Sequence, residues 1–199
     1  IAYRRMVRSR FRRVVADWLP ETARRLGDRF TAEIAAFTEE SAATDAYFRN
    51  VPRAFVAWAT PRWRDDPTMP NYMAELAEYE RLSEDTRYAC DAPEPGQPIA
   101  LDRPIVVDPS VTIRRFEHAV DTWAREPGAE RPNAEPRRLL AYRTGRDVKW
   151  KVLSELAATL MERLVSGDTL QVALTRACEA EGVPVGDEAL ARIAVVLKE

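Results

Sequence analysis

Side chains that could perform acid–base or metal chemistry are present in this sequence, but their types and spacing do not bring them together. Carboxylates stand next to one another, as in Asp65-Asp66, which is typical of a solvated surface. His118 is the single histidine, so the clustered ligands of common zinc sites are missing. The segment RTGRD (143–147) holds one glycine, whereas a phosphate-binding loop needs several. Because catalysis requires convergent groups, the sequence predicts no catalytic residue, no metal site and no cofactor in this chain.

Two titratable residues are interpreted as structural. His118 lies in the middle of the chain, where a histidine is more often hydrogen-bonded within the fold than functional. Glu80 lies in LAEYER (76–81), a helical segment. We expect its carboxylate to bond to an arginine of the first helix.

Positive charge is concentrated at the start of the chain. Residues 1–29 hold nine arginines against three acidic residues, although the whole chain has a net charge of −2. Such a patch has three possible interpretations: a solvated helix face, a docking surface for a partner protein, or a surface that binds nucleic acid. An element that reads DNA should itself concentrate positive charge. Residues 137–199 hold ten basic and nine acidic residues, which favours a protein partner over nucleic acid.

The elements that must position these side chains divide the chain into two domains. Apolar residues recur at spacings of three and four before residue 92, for example Phe30, Ile34 and Phe37, which predicts an all-helical domain over 1–92. The prolines and glycine that follow predict a linker over 93–104.

The remainder, 105–199, is predicted to contain three strands followed by three helices. Residues 105–107 and 110–120 are β-rich, and a hairpin with glycine in its turn joins 137–142 to 147–152. Amphipathic patterns then predict the helices, at about 153–165, 169–181 and 187–198. The fold class is therefore α+β.

The composition is that of an ordinary globular protein, with 46% hydrophobic and 31% charged residues. No apolar run approaches the ~18 residues that cross a membrane. Cys90 and Cys178 lie far apart, which favours two reduced thiols. The sequence predicts a cytoplasmic protein without a membrane partner.

Two segments resemble known families. YRTGRDVKWKVLSELAATLMERLVSGDTL (142–170) resembles the peptide-recognition domain of ribosomal-peptide biosynthesis, in its order of hairpin, helix, turn and helix. That domain is a relative of the winged helix and binds the leader of a precursor peptide as an added strand. The resemblance implies a winged-helix-like domain over 105–199.

The N-terminal half resembles a bacterial "DNA-binding domain" family. The matching pieces are YRRMVRSRFRRVVADWLPETARRLGDRF (3–30) and PNYMAELAEYERL (70–82), with Leu19-Pro20 where the family shows Phe-Pro. Its members accompany multinuclear non-haem iron enzymes that oxidise small precursor peptides, as in methanobactin and bufferin pathways. The resemblance implies a noncatalytic adaptor that forms a heterodimer with such an enzyme, which holds the iron.

Strand addition requires an exposed sheet edge, and the strand 147–152 is the natural candidate. We expect Val148, Trp150 and Val152 to face the helices. Lys149 and Lys151 are expected to face solvent, where they either attract an acidic leader or protect the edge from aggregation. The candidate peptide-binding residues are Arg146, Asp147, Val148, Lys149, Trp150, Lys151, Leu190, Ile193 and Leu197. The candidate enzyme-binding residues are Arg4, Arg8 and Arg12.

Two alternatives stay open. A transcription-type protein would bind DNA through the arginine-rich first helix or through the hairpin, with a steep dependence on salt. A structural scaffold would bind the enzyme but no peptide.

Overall fold

The chain is described by a computed structural model over residues 2–40, 50–91, 100–126 and 128–186, with side chains from residue 5 onward. Within these residues it forms eight α-helices and one three-stranded antiparallel sheet, and most of the ordered backbone is helical. The α+β class is therefore confirmed. None of the helices in these ranges has both the length and the apolar composition needed to span a membrane.

The chain divides into two compact units. One comprises Ile1–Glu84 and Glu117–Glu135, and we call it the helical unit. The other comprises Asp85–Phe116 and Pro136–Glu199, and we call it the sheet unit.

The expected division into 1–92, 93–104 and 105–199 placed Glu117–Glu135 in the second domain. The structure groups this segment with the helical unit instead, because Trp123 is only 2% exposed and packs in the helical core. Residues 93–99 of the expected linker lie outside the described residues.

The helices of the helical unit enclose an aromatic core. They are α1 (Ala2–Trp18), α2 (Pro20–Leu26), α3 (Asp28–Glu40), α4 (Val51–Asp65), α5 (Asn71–Arg87), whose last turn belongs to the sheet unit, and α6 (Val120–Trp123). Phe11, Phe37 and Phe55 meet at its centre, with the last two rings edge to face at 5.5 Å. Gly27 separates α2 from α3 with a φ of +55°, a conformation that glycine adopts readily.

The sheet unit packs two helices on an antiparallel sheet. Its elements are β1 (Thr112–Phe116), β2 (Arg137–Thr144), β3 (Asp147–Leu153), α7 (Glu155–Val165) and α8 (Leu170–Ala180). The strand order is β1-β2-β3, and α7 contacts all three strands. Ser154 and Thr169 begin the two helices, because their side chains accept hydrogen bonds from the first helical turn.

The predicted hairpin is confirmed. Gly145 has a φ of +62° and Arg146 a negative one, which is the pattern of a type II′ turn. The first predicted strand is shorter than expected: Ile105 and Val107 pack on the core without forming a strand. The predicted helix over 187–198 lies outside the described residues.

Candidate functional site

Strand β3 lies at an edge of the sheet, because β2 separates it from β1. Each residue from Asp147 to Leu153 has a partner in β2. In the part of the chain that the structure describes, no strand pairs with the other side of β3. An edge strand is the element that accepts an extended peptide through main-chain hydrogen bonds.

The turn determines which β3 backbone groups point away from β2. Antiparallel partners alternate between pairs that exchange both backbone hydrogen bonds and pairs that exchange none. Because a two-residue turn closes on the pair Thr144–Asp147, the odd-numbered residues of β3 hydrogen-bond to β2. The N–H and C=O groups of Val148, Trp150 and Val152 therefore point away from β2.

The two lysines of β3 lie on the helix side of the sheet. Lys149 is paired with Tyr142, and Lys151 with Leu140. Leu140 belongs to the core that α7 and α8 build, as does Leu153, the next odd-numbered residue of β3. Lys149 is exposed and Lys151 is half-buried.

The expectation that Val148, Trp150 and Val152 face the helices is therefore wrong. These side chains share the opposite face with Leu139 and Ala141, both of which are 0% exposed. Val152 is 54% exposed, whereas Val148 and Trp150 are half-buried. Because both faces of the sheet hold buried residues, the alternation of apolar and charged residues did not reveal which face meets the helices.

A pocket of about 290 Å³ lies beside Lys151. It is lined by Asp108, Ser110, Val111, Leu140, Tyr142, Arg143 and Lys151. The Asp108 carboxylate accepts a 2.8 Å hydrogen bond from the Ser110 N–H, and the Ser110 hydroxyl accepts one of 3.1 Å from the Arg143 N–H. Sequence reasoning missed the loop residues Asp108–Val111, because no local signal marks them as neighbours of the hairpin.

The remaining predicted peptide-binding residues fall into two groups. Arg146 and Asp147 are exposed where the hairpin turns. Leu190, Ile193 and Leu197 lie outside the described residues. Along the hairpin from Arg146 to Lys151, three cations stand against one carboxylate, so the edge carries a positive charge.

The arginines of α1 differ in their surroundings. Arg8 pairs with Glu39 of α3, Arg12 is exposed, and the side chain of Arg4 lies outside the described residues. The exposed α1 arginines that make no ion pair with another described residue are Arg5, Arg10 and Arg12. Arg5 and Arg12 are seven residues apart and share one face of α1, which we call the cationic surface, whereas Arg10 lies on another side of the helix.

Arg25 has a structural role instead. Its guanidinium carbon lies 3.6 Å from the centroid of the Trp123 ring. The same group donates hydrogen bonds of 2.8 Å to the Ala129 carbonyl and 2.9 Å to the Trp123 carbonyl. Burial lowers the pKa of Arg25. These contacts fasten the segment Glu117–Glu135 to α2.

Glu80 binds the start of α2, not an arginine of α1 as expected. Its carboxylate accepts hydrogen bonds from the N–H of Glu21 at 2.8 Å, the N–H of Thr22 at 2.9 Å and the Thr22 hydroxyl at 2.7 Å. These donors would otherwise lack partners, because the first N–H groups of a helix have none within it. Burial raises the pKa of Glu80 to about 7, against the opposing effect of the hydrogen bonds from Thr22 and Glu21.

His118 is held against α5. Its backbone N–H donates a 3.0 Å hydrogen bond to the Glu75 carboxylate, and its imidazole Nδ1 lies 3.3 Å from the same oxygen. The Tyr72 ring meets the imidazole edge to face at 5.7 Å. These contacts agree with the interpretation of His118 as a structural residue.

Within the described ranges, no group of three or more histidine, cysteine or acidic side chains is arranged to hold a metal ion. Cys90 and Cys178 are free thiols, the first exposed and the second buried. None of the protein-family models compared with the chain matches it, and no curated protein matches it significantly.

Proposed function

We propose that this chain is a noncatalytic adaptor for peptide maturation. It holds a precursor peptide as an added strand on β3 and binds the multinuclear non-haem iron enzyme that modifies the peptide. The observation that carries the proposal is the β3 edge, where outward-directed backbone groups and a row of cationic side chains lie together. The order of strand, hairpin and two helices in the sheet unit supports a winged-helix-like peptide-recognition domain.

Strand addition suits an adaptor, because main-chain hydrogen bonds supply affinity and alternate side chains supply specificity. A peptide tethered beside its enzyme reaches an effective concentration on the order of millimolar. The chemistry then needs no catalytic group in this chain.

The cationic surface of α1 is the proposed docking site for the enzyme. Arginine is enriched in protein interfaces, where its planar group binds carboxylates. Arg5 and Arg12 are exposed on this surface, and Arg8 is held beside it by Glu39.

The edge is tested by Val152→Pro. Proline removes one N–H that points away from β2 and leaves the ladder to β2 intact, which is why edge strands tolerate it. We expect the affinity for the precursor to fall about tenfold, because the complex loses one hydrogen bond and the proline ring crowds the added strand. The precursor is first recovered from the native host with this chain as bait and identified by mass spectrometry. The fluorescein-labelled precursor is then titrated with this chain, and binding is followed by fluorescence anisotropy.

Val152→Ala is the matched control, because it removes the same exposed side chain but keeps the N–H. It should weaken binding by about threefold, less than the proline does, because it loses only the contact between the Val152 side chain and the peptide. Lys149→Pro should unfold the sheet, because that N–H pairs with β2. Equal affinity of folded Val152→Pro and Val152→Ala proteins would contradict strand addition at β3.

A second candidate function is DNA binding through α1. The observation that favours it is the exposure of Arg5, Arg10 and Arg12 without ion pairs to other described residues. Phosphate binding requires only such a patch, and it weakens steeply as the salt concentration rises.

A further inference from the structure

We infer that the peptide taken up by β3 alternates acidic and apolar side chains over about five residues. This inference rests on the proposed strand addition and goes further, because it states the chemistry of the peptide. It follows from the way in which the register sorts the side chains of β3 between the two faces of the sheet.

Side chains of neighbouring strands share faces, whichever direction the added strand runs. Peptide residues beside Lys149 and Lys151 would therefore project to the helix side. Those beside Val148, Trp150 and Val152 would project to the opposite side. Acidic and apolar residues that alternate along the peptide would therefore match the alternation of lysine and apolar residues along β3.

The helix side selects acidic residues. In an antiparallel complex the peptide residues opposite Lys149 and Lys151 form the pairs without backbone hydrogen bonds, where side chains approach most closely. Opposite charges in such cross-strand pairs are favourable, and like charges are unfavourable. Lys149 is exposed, so an acidic side chain of the peptide can reach its ammonium group.

The opposite side selects apolar residues. Val152 is an exposed large hydrophobic side chain, and Val148 and Trp150 are half-buried beside it. A peptide with valine, isoleucine or an aromatic residue at these positions would cover Val152. Aromatic and β-branched pairs across strands are among the favourable ones.

Two synthetic peptides of identical composition test the alternation. One carries Val-Glu-Val-Glu-Val between glycines, and the other carries Val-Val-Val-Glu-Glu between glycines. Each is titrated into the isotope-labelled full chain, and the amide signals of β3 are followed by NMR. We expect the alternating peptide to bind about tenfold more tightly, because the block peptide places only one glutamate on the lysine side and the other on the apolar side, and so loses one charge pair and one apolar pair at up to about fivefold each.

A charge swap assigns the preference to Lys149, which is exposed. Lys149→Glu should abolish the preference, so that Val-Glu-Val-Glu-Val and Val-Lys-Val-Lys-Val bind about equally, because each peptide then makes one favourable and one unfavourable charge pair. Lys149→Gln, the neutral control, should weaken the preference for glutamate without abolishing it. Equal affinities of the alternating and block peptides, or an undiminished preference for glutamate in Lys149→Glu, would overturn the inference.

The native precursor separates this inference from the proposed function. If that precursor binds and Val152→Pro weakens it, but Lys149→Glu has no effect, strand addition stands and the acidic pattern is wrong. If neither the precursor nor a synthetic peptide shifts the β3 amide signals, both proposals are wrong.

Discussion

Glu80 is the described carboxyl group whose pKa the fold clearly raises. Its pKa is raised to about 7 from 4.5, first because burial disfavours the charged form. The same carboxylate accepts three hydrogen bonds from Glu21 and Thr22, so it links α5 to the start of α2. The group therefore couples the stability of the helical unit to pH.

The sign of this coupling is set by the direction of the shift. A pKa that is higher in the folded state means that the folded state binds the proton more tightly. The associated stabilisation is complete below about pH 4.5 and is lost as the pH rises through about 7. The variant Glu80→Gln has no group that titrates at this position. As the pH rises through this range, we therefore expect the free energy of unfolding of the wild type to fall relative to that of the variant, by roughly 3 kcal/mol at most.

Urea unfolding at pH 5 and pH 8 measures this difference. Tryptophan fluorescence is a suitable signal, because Trp18, Trp58, Trp63 and Trp123 lie in the helical unit and only Trp150 lies in the sheet unit. Asp65→Asn, which changes an exposed carboxylate of the same unit, serves as the control. Parallel pH profiles for Glu80→Gln and the wild type would show that Glu80 does not titrate as described.

Neither Glu80 nor Arg25 could be assigned its partner from the sequence. Glu80 bonds to residues 58 and 59 positions earlier, and Arg25 to a carbonyl 104 positions later. Such pairs depend on how the helices pack, and no periodicity within a helix encodes them. The sequence-based interpretation of Glu80 as structural agrees with these bonds, but it was argued from an arginine partner in α1, whereas the carboxylate binds the start of α2.

Strand β3 shows which features of an element are local and which are not. The hairpin was predictable, because Gly145 supplies the positive φ that its turn requires. The sequence did not predict which side chains of the strand face the helices, because residues are buried on both faces of the sheet. Leu140 is buried on one face and Leu139 on the other. A one-residue change in register exchanges the faces, and the pattern of apolar residues restricts this only when one face is polar.

Hydrogen exchange of the free chain tests the register directly. The amides of Lys149 and Lys151 hydrogen-bond to β2, whereas those of Val148 and Val152 point away from it. We expect Val148 and Val152 to exchange at least about tenfold faster than the two lysines, and to slow down when the precursor binds. The amides of the central strand β2 should stay slow in both states. Uniform protection along β3 in the free chain would mean that its outer side is already paired.

Positive charge is concentrated on two surfaces of the molecule. The first 29 residues hold nine arginines against three acids, and part of this excess is exposed on α1. The β3 edge carries Arg146, Lys149 and Lys151 in the sheet unit. Arg25 and Arg29 do not add to the α1 surface, because Arg25 holds backbone carbonyls and Arg29 pairs with Asp66 and Glu33. The two surfaces therefore lie on separate units and can be altered independently.

Reversing charge on α1 should remove one partner and keep the other. Arg5 and Arg12 are seven residues apart and share a face of the helix. We expect Arg5→Glu/Arg12→Glu to lose the iron enzyme from a pull-down while it binds the labelled precursor as tightly as the wild type. The fold should persist, because both side chains are exposed and Arg5 lies near the helix N-terminus, where glutamate is favourable. Val152→Pro is the reciprocal control and should retain the enzyme but bind the precursor weakly.

The same variant decides between an enzyme and a nucleic acid as the occupant of α1. DNA would be assigned to α1 if the wild type is retained on immobilised duplex DNA, if this retention falls between 50 and 200 mM salt by roughly fortyfold, as three phosphate contacts require, and if the double variant is not retained. Weak retention that changes little with salt would leave the enzyme as the partner. Loss of both the precursor and the enzyme in the folded double variant would contradict an adaptor with separate surfaces, because an adaptor requires that each partner can bind without the other.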